Sequence, residues 1–212
     1  MEALPITDAA LDALRASVSA QLGERRLAHT LAVEKEIAFL ATRFLPEMEK
    51  ELRAAALLHD LTKELSFDEQ MRICEKHGID LPSKITDSPA VLHSFSAPPM
   101  IREKYPLFAT EQILRAIARH TVGHSEMSTF DKLLFLADYI EPTRKPISCQ
   151  SVRADFYGAL AESGSEQENL RALDNAVFAA LQATITYLER SALPILPESY
   201  EVYKTFRARV SG

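Results

Sequence analysis

The chain has 212 residues, with 24 Lys and Arg against 30 Asp and Glu, a net charge of −6. That length suits one domain or a closely packed pair, with enough chain to bury a sizeable core. A hydrophobic share of 47% beside 25% charged residues excludes intrinsic disorder, and the negative balance argues against duplex DNA as a partner.

Alanine (29) and leucine (27) far outnumber valine (8), a bias toward helix. Leu11, Leu14, Val18 and Leu22 recur at helical spacing until Gly23 stops them. Val33, Ile37, Leu40 and Phe44 mark a second helix, and His29 shares their face. Pro46 opens a third, predicted to reach about Leu61. Ser66 and Glu69 make a capping-box pattern for a short fourth helix ending at His77-Gly78. Ser88-Pro89 opens the next, which Pro98-Pro99 is expected to break or kink. Thr110 caps a helix ending near His120, and Ser128 caps one that runs to Ile140 and stops at Pro142. Two more are expected at about 151–162 and 168–190, and Pro197 opens the last. No strand pattern, repeat or linker intervenes, so the reading is one all-α domain over 1–212. Phe39, Phe44 and Phe135 read as core.

The opening stretch MEALPITDAALDALRAS lacks a basic segment followed by an apolar run, so no signal peptide is expected. No apolar run approaches bilayer length, and no membrane partner is expected. Cys74 and Cys149 lie far apart and outside any CxxC pattern, which favours a reduced, cytoplasmic setting.

Six histidines occur: His29, His59, His77, His93, His120 and His124. A lone histidine in a helical protein is usually a surface or satisfied core residue, and His77 is read that way. His59-Asp60 is different. It ends the apolar run AAALL, so a carboxylate falls at the C-terminal end of a buried helix. Burial and the helix dipole both oppose that charge, and either a metal or a basic partner must offset it. Asp138 repeats the pattern after LLFLA. His29, His93 and His120 also stand beside core residues. Five helices thus each deliver a candidate ligand, in the order His, His-Asp, His, His, Asp.

This H…HD…D pattern resembles the HD superfamily of metal-dependent phosphohydrolases. The segments RLAHTLAVEKEIAFLA, RAAALLHDLTKE, VLHSFSA and IARHTVGHSEMSTFDKLLFLADYIEPTR carry the likeness. The last is the most specific, and it points to the YqeK-type symmetrical diadenosine tetraphosphate hydrolases. The likeness spans roughly residues 12–190. It implies an all-α HD bundle with the site between helices, its core at about 24–145 and the C-terminal helices, about 151–209, packed on it. It further implies two divalent metal ions, typically iron. One would take His29, His59, Asp60 and Asp138; the other Asp60, His93 and His120, with Asp60 bridging. Four imidazoles and two carboxylates without a thiolate suit iron, manganese or a similar ion on chemical grounds as well.

The implied reaction is hydrolysis of diadenosine tetraphosphate to two ADP by a metal-bridging hydroxide. Lys63, one turn after Asp60 if the helix continues, is the expected phosphate clamp. Arg144 either clamps a polyphosphate oxygen or caps helix carbonyls near Pro142. His124 is a candidate substrate contact or proton donor. Asp131 needs no role beyond the Ser128 cap, and Glu141 supports a ligand or anchors its loop. Asp60, Lys63 and His124 are thus the catalytic candidates. The residues after His93, Ser94-Phe95-Ser96, and those after Arg144, Lys145-Pro146-Ile147-Ser148-Cys149, depart from the family pattern at the expected pocket rim. Alternatives are an HD enzyme acting on a deoxynucleotide, a cyclic nucleotide or guanosine tetraphosphate, and a metal- or nucleotide-binding module without turnover. The partner expected is a dinucleoside polyphosphate rather than nucleic acid, and a homodimer is compatible with the likeness.

Overall fold

A computed structural model describes residues 5–211. Residues 1–4 and Gly212 of the expected 1–212 domain lie outside the described residues. The described chain forms ten α-helices and no strand. They are α1 (Asp8–Ser19), α2 (Glu24–Phe44), α3 (Glu49–Leu58), α4 (Phe67–Lys76), α5 (His93–Lys104), α6 (Glu111–Arg119), α7 (Thr129–Ile140), α8 (Ile147–Glu162), α9 (Glu166–Arg190) and α10 (Pro197–Ser211). No helix among these residues is long and apolar enough to cross a membrane.

The all-α expectation holds, and local capping explains most boundaries. Ser66 and Ser128 each form a reciprocal capping box, with Glu69 and Asp131 respectively. Thr110 accepts a hydrogen bond from the Ile113 amide at the start of α6. Other boundaries differ from the sequence reading. Pro46 opens a 3₁₀ turn, Pro46–Met48, rather than α3 itself. Past Leu58 the chain tightens into turns, with Leu61 N on Leu58 O at 3.1 Å and Lys63 N on Asp60 O at 3.0 Å. α8 begins at Ile147, ahead of its expected start. Pro98 and Pro99 lie inside α5 without ending it. Proline removes a backbone donor, but α5 packs between α4 and α6 and buries Ala97, Pro99 and Ile101. Phe135 is buried as expected, whereas Phe39 is exposed and meets Tyr157 at a centroid separation of 5.9 Å.

α3 is the centre of the packing, touching α1, α2, α6 and α7. Ala54, Ala55, Ala56, Leu57 and Leu58 are all fully buried. A helical stretch apolar on every side, as 54–58 is, belongs inside, and its small residues let neighbours approach closely. Glu34 of α2 fastens this centre. It accepts from Arg15 of α1 (2.5 Å) and Arg53 of α3 (3.1 Å).

The turn between α6 and α7 is held as firmly. Asp131 is fully buried and caps its own helix. It also accepts from Arg119 at 2.9 Å and pairs with Arg115 at 3.4 Å, both on α6. Gly123 in this turn has φ +79°, and a Cβ there would lie 2.9 Å from Val202 of α10. Glycine is required by conformation and by space.

Asp131→Ala should lower unfolding free energy by about 3 kcal/mol, since it removes a cap and strands two guanidinium groups. Asp131→Asn, which keeps the cap, should cost less. Urea denaturation of both variants measures the difference, and equal losses would mean that the cap adds nothing beyond the arginine pairs.

Candidate metal centre

Four imidazoles and two carboxylates converge at the end of α3. His59 is the C-cap of α3 and Asp60 follows it; His93 begins α5; His120 is the C-cap of α6. His29 comes from the interior of α2 and Asp138 from the last turn of α7. Asp60 is 4% exposed, and its two oxygens face opposite ways. Oδ1 lies 3.1 Å from His93 Nε2 and 3.8 Å from His120 Nε2. Oδ2 lies 3.5 Å from His59 Nε2 and 3.8 Å from His29 Nε2. Asp138 Oδ1 completes that second side, 3.0 Å from His29 Nε2 and 3.9 Å from His59 Nε2. The donor atoms of His29, His59 and Asp138 lie within 4.8 Å of one another, as do those of His59, Asp60 and His120.

The outer face of each ring fixes what the inner face can do. His59 Nδ1 addresses Ala56 O at 2.6 Å, His120 Nδ1 addresses Ile117 O at 2.6 Å, and His93 Nδ1 addresses Ala90 O at 3.0 Å. His29 Nδ1 meets Glu141 Oε1 at 3.1 Å. Carbonyls and carboxylates only accept, so the proton belongs on Nδ1 of His29, His59 and His120, and their Nε2 lone pairs point inward. His29 Nε2 and His59 Nε2 are buried without a hydrogen-bond partner. His93 Nε2 and His120 Nε2 stand 3.1 Å apart. Inward lone pairs beside two carboxylates form a donor set that fits divalent metal ions.

The electrostatics agree. With protons rather than a metal ion on the inward Nε2 atoms, burial opposes the charge on Asp60, but the charge of a protonated His59 and hydrogen bonds from His120, His59 and His93 outweigh it and hold the carboxyl well below its usual range. At Asp138 burial is likewise overcome, by His29 and Arg144, so this carboxyl too stays ionised far below its usual range. Burial pushes His93 down to about 4, so it is neutral and able to ligate at ordinary pH.

The HD domain model matches residues 26–143, more than half of the chain and all six of these groups. The chain belongs to the HD-domain family. It is 30% identical to the symmetrical bis(5'-nucleosyl)-tetraphosphatase of Halalkalibacterium halodurans, over 88% of this chain and 91% of that one. Identity to the protein of that name from Bacillus subtilis is 29%, over 89% and 92%. An HD superfamily hydrolase from Clostridium acetobutylicum, described as involved in NAD metabolism, superposes with a TM-score of 0.79. It is 26% identical, and the match covers 93% of this chain and 97% of that one.

Around the HD residues the structure distributes the other candidates unevenly. Lys63 does not continue a helix from Asp60. Its ammonium donates to Ala90 O at 2.7 Å and lies 3.0 Å from His93 Nδ1, and burial lowers its pKa. Arg144 takes up the carbonyl-capping role foreseen for it. Its Nε donates to the Asp138 carbonyl at 3.0 Å, its Nη2 holds Asp138 Oδ1 at 2.5 Å, and it lines a cavity of about 590 Å³. His124 is occupied within its own turn, with Nδ1 accepting from Glu126 N at 3.0 Å. Glu141 is buried and joins His29 to the following loop, taking Thr143 Oγ1 at 2.7 Å.

Sequence reasoning passed over Arg26 and Thr121. Arg26 pairs with Asp60 Oδ2 and lines the same cavity. Its signal was its position, three residues before His29 and so on the same side of α2. Thr121 places its hydroxyl 3.2 Å from His93 Nε2 and 3.1 Å from His120 Nε2. The rest of the cavity is lined by Arg25, Ala28, His29, Glu141, Thr143, Lys145 and Pro146. Its four basic side chains gather positive charge on a protein whose net charge is −6.

The depressed His93 pKa predicts a pH dependence in chelator-treated protein. The unfolded chain takes up this proton near pH 6.5, the folded chain only near 4. Stability from His93 is therefore full above pH 6.5 and is lost as pH falls toward 4. Urea midpoints between pH 7 and 4.5 should show this slope, and His93→Gln should flatten it.

Proposed function

We propose that the chain is a metal-dependent hydrolase that cleaves diadenosine tetraphosphate symmetrically into two ADP. The observation that carries the reading is a cluster of six donor groups beside a basic cavity of about 590 Å³, which His29 lines together with Arg26 and Arg144, the partners of Asp60 and Asp138. A tetraphosphate bridge brings several negative charges, and Arg25, Arg26, Arg144 and Lys145 face it with four positive ones. The relatives named symmetrical bis(5'-nucleosyl)-tetraphosphatase support the same substrate.

In this reading His29, His59, Asp60 and Asp138 hold one ion and Asp60, His93 and His120 a second, with iron the expected metal. Bound there, two divalent ions supply Lewis acidity and activate water for attack on phosphorus. The chain's own groups do the rest. The Nδ1 contacts keep His29, His59 and His120 in one tautomer and hold all four rings in orientation, so little reorganises when charge develops on the phosphate. Arg144, held by the Asp138 carbonyl, presents its guanidinium at the cavity wall, where it orients the phosphate chain. Water oxygen bonds to one central phosphorus, the bridging oxygen leaves with the other ADP, and the water's protons pass to solvent. ADP is a good leaving group, so no dedicated acid is required. Lys63 keeps the segment bearing His93 in place through Ala90 O. The C-terminal helices belong to the same working unit, because Arg153 of α8 binds the carbonyls of Ile140 and Glu141 at the end of α7.

The test is anaerobic reconstitution with ferrous iron, incubation with diadenosine tetraphosphate, and chromatography of the nucleotides. Two ADP per substrate are expected, falling by at least about a thousandfold in Asp60→Ala. AMP plus ATP would refute symmetrical cleavage, and no turnover by metal-loaded protein would refute the substrate.

A further inference from the structure

Arg26 combines three features that no other basic side chain of the cavity shares. Its guanidinium pairs with Asp60 Oδ2, the oxygen that also faces His29 and His59. It lines the basic cavity. Its Nε is buried and has no hydrogen-bond partner. A buried donor left unpaired is costly, and an anionic oxygen arriving in the cavity would relieve it.

The contact with Asp60 sets up a competition. A guanidinium and a divalent cation are both drawn to the same carboxylate oxygen, and they repel each other when both are close. Arg144 faces a similar choice at Asp138 Oδ1, but its Nε is tethered to the Asp138 backbone carbonyl. Among the described residues, the one hydrogen bond of the Arg26 side chain is to Asp60. Its side chain is 27% exposed, so it has room to turn.

We propose that Arg26 is an exchangeable counter-ion of the metal centre. It neutralises Asp60, yields that oxygen to a divalent cation, and then offers its guanidinium to the phosphate chain in the adjoining cavity. The carboxylate charge is thereby never left bare, and the arginine becomes free for an anion only at a centre that has taken up metal. The second half of this exchange rests on the polyphosphate reading above; the first half does not.

The test uses Mn²⁺ as a redox-stable probe, followed by inorganic tripolyphosphate added to the Mn²⁺-loaded protein, both by calorimetry. Arg26→Gln should bind Mn²⁺ about tenfold more tightly and tripolyphosphate about tenfold more weakly, each the worth of one charge-assisted contact. A fixed structural arginine would give the opposite sign for the metal, since its loss would loosen Asp60. Unchanged or weaker Mn²⁺ binding by folded Arg26→Gln therefore overturns the proposal, as does unchanged tripolyphosphate binding. Arg26→Lys covers the case in which glutamine prevents folding. It should keep Mn²⁺ affinity near that of the parent and still weaken tripolyphosphate, because an ammonium lacks the planar fork; parental affinity for both overturns the proposal. If Mn²⁺-loaded parent protein ignores both tripolyphosphate and diadenosine tetraphosphate, the functional reading and the second half fall together. The Mn²⁺ comparison still decides the first.

Discussion

Asp60 is almost wholly removed from water at the C-terminal end of a buried helix, where the helix dipole opposes its charge. A carboxylate so placed stays ionised only if cationic or hydrogen-bonding groups surround it. That requirement organises the molecule. Four helices and the turn after α3 each bring a group to this point, and the elements between them are held by separate ion pairs at Glu34 and Asp131. The packing around α3 and the chemistry at its end are therefore one arrangement. The apolar helix cannot stay buried unless its polar terminus is satisfied, and that terminus is satisfied by the groups that fit a metal.

Helix termini also explain the inward direction of the imidazoles. The last carbonyls of a helix have no partner within it. His59 and His120 sit at such ends, and His93 follows the 3₁₀ turn Pro89–Val91; each ring takes up the carbonyl three residues back. At His59 and His120 one contact thus satisfies a helix end and selects a tautomer. His29 lies mid-helix, where carbonyls are already engaged, so its Nδ1 needs a side chain. Glu141, at the C-cap of α7, supplies it.

Much of this was legible in the sequence because its causes are local. Capping residues announce Ser66, Thr110 and Ser128, and the candidate metal ligands stand at the ends or on the faces of apolar runs. What was not legible depends on partners distant in the chain. Pro98 and Pro99 predict an interruption, but the packing of α5 between α4 and α6 prevails. Arg26 acquires its role only when the fold brings Asp60 to it. Lys63 is expected one helical turn beyond Asp60, yet the chain tightens there and its ammonium reaches the segment before His93. Phe39 looked like core because its helix is apolar nearby, but it lies on the outer side of α2.

The Ala54–Ala56 run bears on how freely such a protein can drift. All three methyl groups are fully buried beneath the helices that supply His29, His120 and Asp138. Any larger side chain there must push a neighbouring helix outward, and close-packed interiors have little slack to absorb the shift. The displacement would travel to the candidate ligand atoms at the end of α3. Selection acting on reactivity and selection acting on folding would then read the same three positions, leaving no path by which either could be tuned alone. Variation is freer on the outer helices and the cavity rim, where a changed side chain alters what is held without moving what holds it.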